Sequence, residues 1–193
     1  MQIFLDYQVF LFSPGVGVSQ VSPSLSGLFL SDLDSAVSLC VLTSRNVSLV
    51  VNASGLEEAS YPDLEGLQVL QVPVQDQPHA PLSRYFDLVA ERIHQNRSGS
   101  TLVHCTAGRS RSPALILAYL MRFEGLNLRQ AHELVLEQRP FIRPNAGFWR
   151  QLMEYERSLF GCSSVRMSRT SGGVLPEALH ESDSDTAAYC VNI

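Results

Sequence analysis

Short β-rich apolar runs recur along the first half of the chain, at Val16 to Val21, Leu28 to Leu30, Val47 to Val51, Leu67 to Val72 and Thr101 to Cys105. Each is bounded by polar or turn-forming residues, and together they predict a set of short strands. The pattern then changes period. Tyr85, Phe86, Val89, Ala90 and Ile93 follow helical spacing, with Ser83 placed to cap. Leu128, Ala131, Leu134 and Val135 make a second helical stripe, and Phe148, Leu152, Tyr155 and Leu159 a third, opening after Asn145 as its N-cap. Ala114 to Met121 is apolar on all sides, as in a helix with neighbours on every side. It is too short to span a bilayer. Strands before this run and helices after it predict an α/β domain with helices on both sheet faces. The domain should span residues 16–160, after an N-terminal extension at 1–15. The Ser-, Gly- and acid-rich residues 161–193 read as a weakly ordered tail.

A chain of 193 residues with 45% hydrophobic and 17% charged residues suits one domain with a tail. The net charge of −5 and pI of 5.5 argue against a general nucleic-acid binder. That average hides a division. Residues 1–100 carry net −6, residues 101–170 net +5 and residues 171–193 net −4, and every basic side chain is Arg. The apolar start, Ile3 to Phe12, has no basic flank and is interrupted by Asp6 and Gln8, unlike a signal peptide. Cysteines at 40, 105, 162 and 190 show no C-x-x-C pairing, so neither a zinc site nor a disulfide framework is expected. These features predict an intracellular protein with reduced thiols and no metal.

The chemistry concentrates in His104-Cys105-Thr106-Ala107-Gly108-Arg109-Ser110-Arg111-Ser112, between an apolar strand and an apolar helix that begins near Pro113. Strand, tight loop and helix N-terminus make an anion site, because backbone N–H groups converge there and the helix dipole adds positive potential. A cysteine so placed should have a depressed pKa and serve as a nucleophile. Arg111, six residues on, can return its planar fork to the same centre and hold a phosphate bidentately. A lone cysteine at a strand end is ordinarily a small buried hydrophobe. The full string in this context is far more restrictive.

His104 to Ser112 resembles the phosphate-binding loop of the cysteine-dependent protein tyrosine phosphatase superfamily, specifically its small atypical dual-specificity members. The resemblance extends through Ala118-Tyr119-Leu120-Met121 and through Arg139 to Trp149, with Val72 to Pro78 matching the family's acid loop. It implies a single domain with a central twisted, mostly parallel sheet of about five strands flanked by helices. It further implies that Cys105 attacks phosphorus and forms a cysteinyl-phosphate. Thr106, Ala107, Gly108, Arg109, Ser110 and Arg111 bind the phosphoryl oxygens, and Ser112 hydrogen-bonds the sulfur. Asp76 is the general acid and base, with His104 and Asn145 in supporting positions. Asp63 and Asp87 compete with Asp76 on residue type, but only Asp76 follows directly on a strand end. No cofactor is needed. The implied partners are phosphoprotein substrates, signalling kinases among them, with no nucleic acid and no stable membrane insertion. The implied compartments are the cytoplasm and also the nucleus. A phosphatase for a phosphoinositide or an RNA 5′ end, and a phosphoprotein-capturing module without turnover, remain the competing readings. Position 109 departs from the family, with Arg where a small apolar residue is common. His79 and His132 read as surface or loop residues.

Overall fold

A computed structural model of the chain describes residues 17–56, 59–170 and 173–178; the expected N-terminal extension at residues 1–15 lies outside them. The five apolar runs all become strands of one sheet: β1 (Val18–Gln20), β2 (Leu28–Ser31), β3 (Val47–Asn52), β4 (Gln68–Gln71) and β5 (Ser100–His104). Their order is β1-β2-β5-β3-β4. β1 pairs antiparallel with β2, and every other pairing is parallel. β5 is therefore the central strand, and its carboxyl end delivers Cys105 to the edge where parallel sheets bind ligands.

Alternation along the strands separates two cores. Leu28, Leu30, Leu49, Val51 and Val103 face the larger one, built with α3 (Phe86–Gln95), α4 (Arg111–Phe123), α5 (Leu128–Gln138) and α6 (Ala146–Phe160). Val50 and Leu102 face the smaller one, beneath the short helices α1 (Leu33–Ala36) and α2 (Leu39–Ser44). Neither α1 nor α2 stands out in the sequence, because each is too short to show a helical period. The all-apolar run becomes the middle of α4, fully enclosed from Ala114 to Leu120 apart from a sliver of Tyr119.

Three local expectations change. Ser83 does not cap α3; it lies in a 3₁₀ turn, Leu82–Tyr85, that leads into the helix. Within the stretch read as a weakly ordered tail, β6 (Val165–Thr170) pairs antiparallel with β7 (Gly173–Ala178). Alternation of apolar and polar residues from Val165 to Ser168 supports a strand there, a signal outweighed by the Ser- and acid-rich composition that follows. Cys40 and Cys105 are free thiols, whereas Cys162 is in a disulfide, against the expectation of reduced thiols.

Candidate active site

The segment between β5 and α4 curls because its carbonyls are held from outside. Thr106 O accepts from Leu33 N, Ala107 O and Gly108 O from the Arg139 guanidinium, and Arg109 O from Arg143 N. In a trans peptide the N–H points opposite its C=O. The N–H groups of Ala107, Gly108, Arg109 and Ser110 consequently turn to the concave side. Gly108 allows this shape, with φ +63°. A Cβ there would lie 2.6 Å from both Ser31 O and the Arg139 guanidinium. The bowl continues into α4, whose N-cap residue Ser110 makes no side-chain cap bond. The first N–H groups of α4 thus extend the anion site.

Cys105 sits at the base of this bowl, 2% exposed. Burial pushes its thiol pKa up. Hydrogen bonds from the Ser112 hydroxyl and the Ser112 and Ser110 backbones, with the Arg111 charge, outweigh burial and leave it below the ordinary value. The Ser112 Oγ donates to Cys105 Sγ at 3.1 Å. These contacts stabilise a thiolate, the nucleophilic form.

His104 supports Cys105 from behind. Its Nδ1 lies 3.3 Å from Cys105 O, and its Nε2 is 2.6 Å from the Tyr61 hydroxyl. A carbonyl can only accept, so Nδ1 carries the proton, and Tyr61 donates to Nε2. Complete burial lowers the His104 pKa to about 4 and keeps the ring neutral, as this arrangement requires.

Arg111 reaches back over the bowl. One terminal nitrogen donates to Ser54 O and Val74 O, and the other to Thr106 Oγ1 at 3.1 Å. Its Nε–H, fully buried, has no hydrogen-bond partner among the described residues. An unmet donor on a guanidinium enclosed to 7% exposure is costly unless an anion fills the site. The loop carrying Ser54 is itself fixed by Asn52, whose side chain donates to Leu56 O and accepts from Ser54 N and Oγ.

Asp76 is drawn to the rim by two donors on one oxygen. Ser110 Oγ donates to Asp76 Oδ1 at 2.7 Å and Asn145 Nδ2 donates to the same atom at 2.8 Å. Asp76 Oδ2 lies 3.9 Å from Arg111 Nε. Asn145 also caps α6, its Oδ1 accepting from Gly147 N and Phe148 N, a cap that stabilises a helix by about 1 kcal/mol. A Cβ at Gly147 would fall 1.7 Å from Pro78 O, so only glycine lets the Asp76 loop lie this close to α6. The rival acids are elsewhere. Asp87 accepts from Tyr155 and Arg122 on the α3 surface, and Asp63 lies in the connection ahead of β4.

Every residue in the motif-based set therefore meets at the β5–α4 junction, with Asp76 and Asn145 joining from remote loops. Tyr61, Ser54 and Asn52 are neighbours of the site that no motif singles out, and Arg139, at the head of the matching run Arg139 to Trp149, has no role assigned from sequence. Arg139 is 2% exposed and donates to Gly17 O as well as to the bowl carbonyls. Burial lowers its pKa, against the opposing charges of Asp32 and the Cys105 thiol. His132 is not a surface residue; it is half-buried on α5, edge-on to Trp149. His79 is exposed in the Asp76 loop. Among the described residues, no three His, Cys, Asp or Glu side chains are grouped to hold a metal ion.

Comparison with known proteins places this geometry. The family model described as dual specificity phosphatase, catalytic domain, matches residues 28–158. Human dual specificity protein phosphatase 14 is 43% identical over 176 residues, covering 90% of this chain and 86% of its own. Mouse dual specificity protein phosphatase 18 is 44% identical over 163 residues, covering 83% of this chain and 84% of its own. Among solved structures, human DUSP28 superposes with a TM-score of 0.67 at 36% identity, covering 76% of this chain and 95% of its own.

Proposed function

The chain belongs to the dual specificity phosphatase family as a small atypical member, and we propose a role for each site residue in its hydrolysis of phosphotyrosine and phosphoserine or phosphothreonine. The observation that carries the assignment is the buried Arg111 Nε–H, without a hydrogen-bond partner among the described residues, framed with Cys105 by inward-turned loop amides.

In the first step Cys105 Sγ attacks phosphorus, a sulfur–phosphorus bond forms and the bond to the leaving oxygen breaks. Asp76 gives its proton to that oxygen, so a phenol or alcohol departs. Amides from Thr106 to Arg111 and the Arg111 guanidinium hold the equatorial oxygens as charge redistributes in the transition state. In the second step Asp76, now ionised, takes a proton from water as the water oxygen attacks phosphorus. The sulfur leaves as thiolate, stabilised by the Ser112 hydroxyl, and inorganic phosphate is released. His104 orients the Cys105 carbonyl, with Tyr61 fixing its tautomer. Ser110 and Asn145 aim Asp76. Phosphorylated signalling kinases are the proposed substrates, and cytoplasm and nucleus the proposed compartments, on the family resemblance.

The thiolate assignment has a pH consequence. The thiolate is the active form, and activity falls as pH drops through the pKa of Cys105. That pKa is depressed, so kcat/KM for a phosphotyrosine peptide should already be high well below the ordinary thiol value of about 8.5. A profile that rises only above that value would refute the assignment.

A further inference from the structure

We propose that Arg139 is a positioning residue for the reaction. Its guanidinium, braced by Asp32 through Gly17, aims the two central amides of the bowl at the phosphoryl group and strengthens them as donors. The proposal rests on the Cys105 bowl being the catalytic pocket and concerns how that bowl is held from behind.

Four carbonyls set the curl of the loop, and Arg139 holds the middle two. Its Nε donates to Gly108 O at 2.9 Å, and one terminal nitrogen reaches Ala107 O at 3.5 Å. The peptide units that carry these carbonyls also carry the N–H groups of Arg109 and Gly108, which face the opposite way. Backbone donors hold the outer two carbonyls, Thr106 O by Leu33 N and Arg109 O by Arg143 N. A backbone amide is neutral, whereas the guanidinium is charged. A cation on the carbonyl side polarises the peptide, and its N–H becomes a stronger donor on the phosphate side. Arg139 thus brings positive charge to bear on the equatorial oxygens through two peptide units, without touching them.

The guanidinium is itself fixed. It lies over the Phe141 ring, 5.1 Å from the centroid. Its other terminal nitrogen donates to Gly17 O at 2.9 Å and to Ser19 Oγ at 3.4 Å. Gly17 N–H in turn donates to Asp32 Oδ2 at 3.0 Å, while Asp32 Oδ1 accepts from Ser35 N at the head of α1. Gly17 has φ +119°, a backbone shape that favours glycine, and Asp32 and Arg139 hold its two ends. The Asp32 charge favours the protonated guanidinium against the burial that opposes it. The start of the edge strand β1 is in this way tied to the catalytic loop. The hydrogen bonds that favour the Cys105 thiolate come from Ser112 and Ser110 and bypass this brace.

Three variants test it. Arg139→Lys keeps the charge, but one ammonium nitrogen cannot reach the bowl carbonyls and Gly17 O together. Arg139→Met removes charge and bonds, and Asp32→Asn removes only the bracing charge and one acceptor. Each is measured for kcat/KM on a phosphotyrosine peptide and for affinity toward orthovanadate, which takes the five-coordinate shape of the transition state. Alkylation of Cys105 by iodoacetamide at neutral pH reports the nucleophile separately. Arg139→Lys should lose about tenfold in kcat/KM and Arg139→Met about 100-fold, with vanadate affinity falling in step. Alkylation in Arg139→Lys should keep the wild-type rate. Asp32→Asn should lose roughly threefold, and its combination with Arg139→Lys no more than Arg139→Lys alone, because both break one brace. Should Arg139→Met not fold, the other variants carry the test. Wild-type kcat/KM and vanadate affinity in Arg139→Lys overturn the proposal. So does a loss in which alkylation falls equally, the mark of general disorder, and so do additive losses in the double variant, which would detach Asp32 from Arg139. Failure of the catalytic reading is distinguishable: wild type would then not hydrolyse the phosphotyrosine peptide at all.

Discussion

Cys105→Ser should abolish turnover of phosphotyrosine and phosphothreonine peptides, by on the order of 10⁴-fold or more, while still binding them. The loss is chemical. A serine hydroxyl at this position has no general base to deprotonate it, because His104 is neutral with Nδ1–H committed to the Cys105 carbonyl. Hydrogen bonds and the Arg111 charge that favour a thiolate cannot ionise an alcohol, whose pKa lies far higher. Binding survives because the bowl amides, Arg111 and the Arg139 scaffold do not depend on sulfur. The variant should therefore retain phosphopeptides in a pull-down and show no phosphate release. Residual hydrolysis within tenfold of wild type would mean that another group attacks phosphorus.

Asp76→Asn should slow the reaction by about 10²- to 10³-fold on a phosphotyrosine peptide, with a loss that depends on the leaving group. Asparagine keeps the shape of the acid and can still accept from Ser110 and Asn145 through Oδ1. Geometry is thus preserved and only the transferable proton disappears. A phenol needs that proton more than an electron-poor nitrophenol, and an alkoxide needs it more again. The deficit should be small on a nitrophenyl phosphate, larger on phosphotyrosine and largest on phosphothreonine. An equal loss on all three would make Asp76 a structural contact. The shared attachment to Oδ1 places the transferable proton on Oδ2.

How far the sequence reveals this site depends on how local each part is. The strand–loop–helix string from His104 to Ser112 is contiguous, so its order alone announces an anion bowl and the nucleophile at its base. The strands were equally legible, since alternation and β-branching act within a few residues. Asp76 required more, because Asp63 and Asp87 have the same side chain; its partners Ser110 and Asn145 lie 34 and 69 residues away. Tyr61 left no local mark, and Arg139, though it opens the run that matches the family, gave no sign of what it holds. Tyr61 meets His104 across 43 residues, and Arg139 meets Gly17 across 122. Such contacts exist only after β1, β5 and α5 have packed. Asp32 illustrates the same limit. No motif singles it out, yet it caps α1, accepts from Gly17 N and contributes charge beside His104 and Arg139. The charge division of the chain also acquires a spatial meaning. Arg111 and Arg139 are internal to the bowl, so two of the ten basic residues between 101 and 170 build the site, and the backbones of Arg109 and Arg143 meet at its rim.

The central claim is a covalent phosphate on Cys105, and Ser112→Ala tests it most directly. Without the Ser112 hydroxyl, 3.1 Å from Sγ, the thiolate is a poorer leaving group, and the second step should slow by roughly 10- to 100-fold. Rapid mixing of this variant with a phosphotyrosine peptide, acid quenching and mass spectrometry of the proteolysed enzyme should reveal a burst of dephosphorylated peptide, near one equivalent per enzyme, with the phosphoryl group on Cys105. Peptide and inorganic phosphate released together without a burst, or a phosphoryl group on any other residue, would contradict the account.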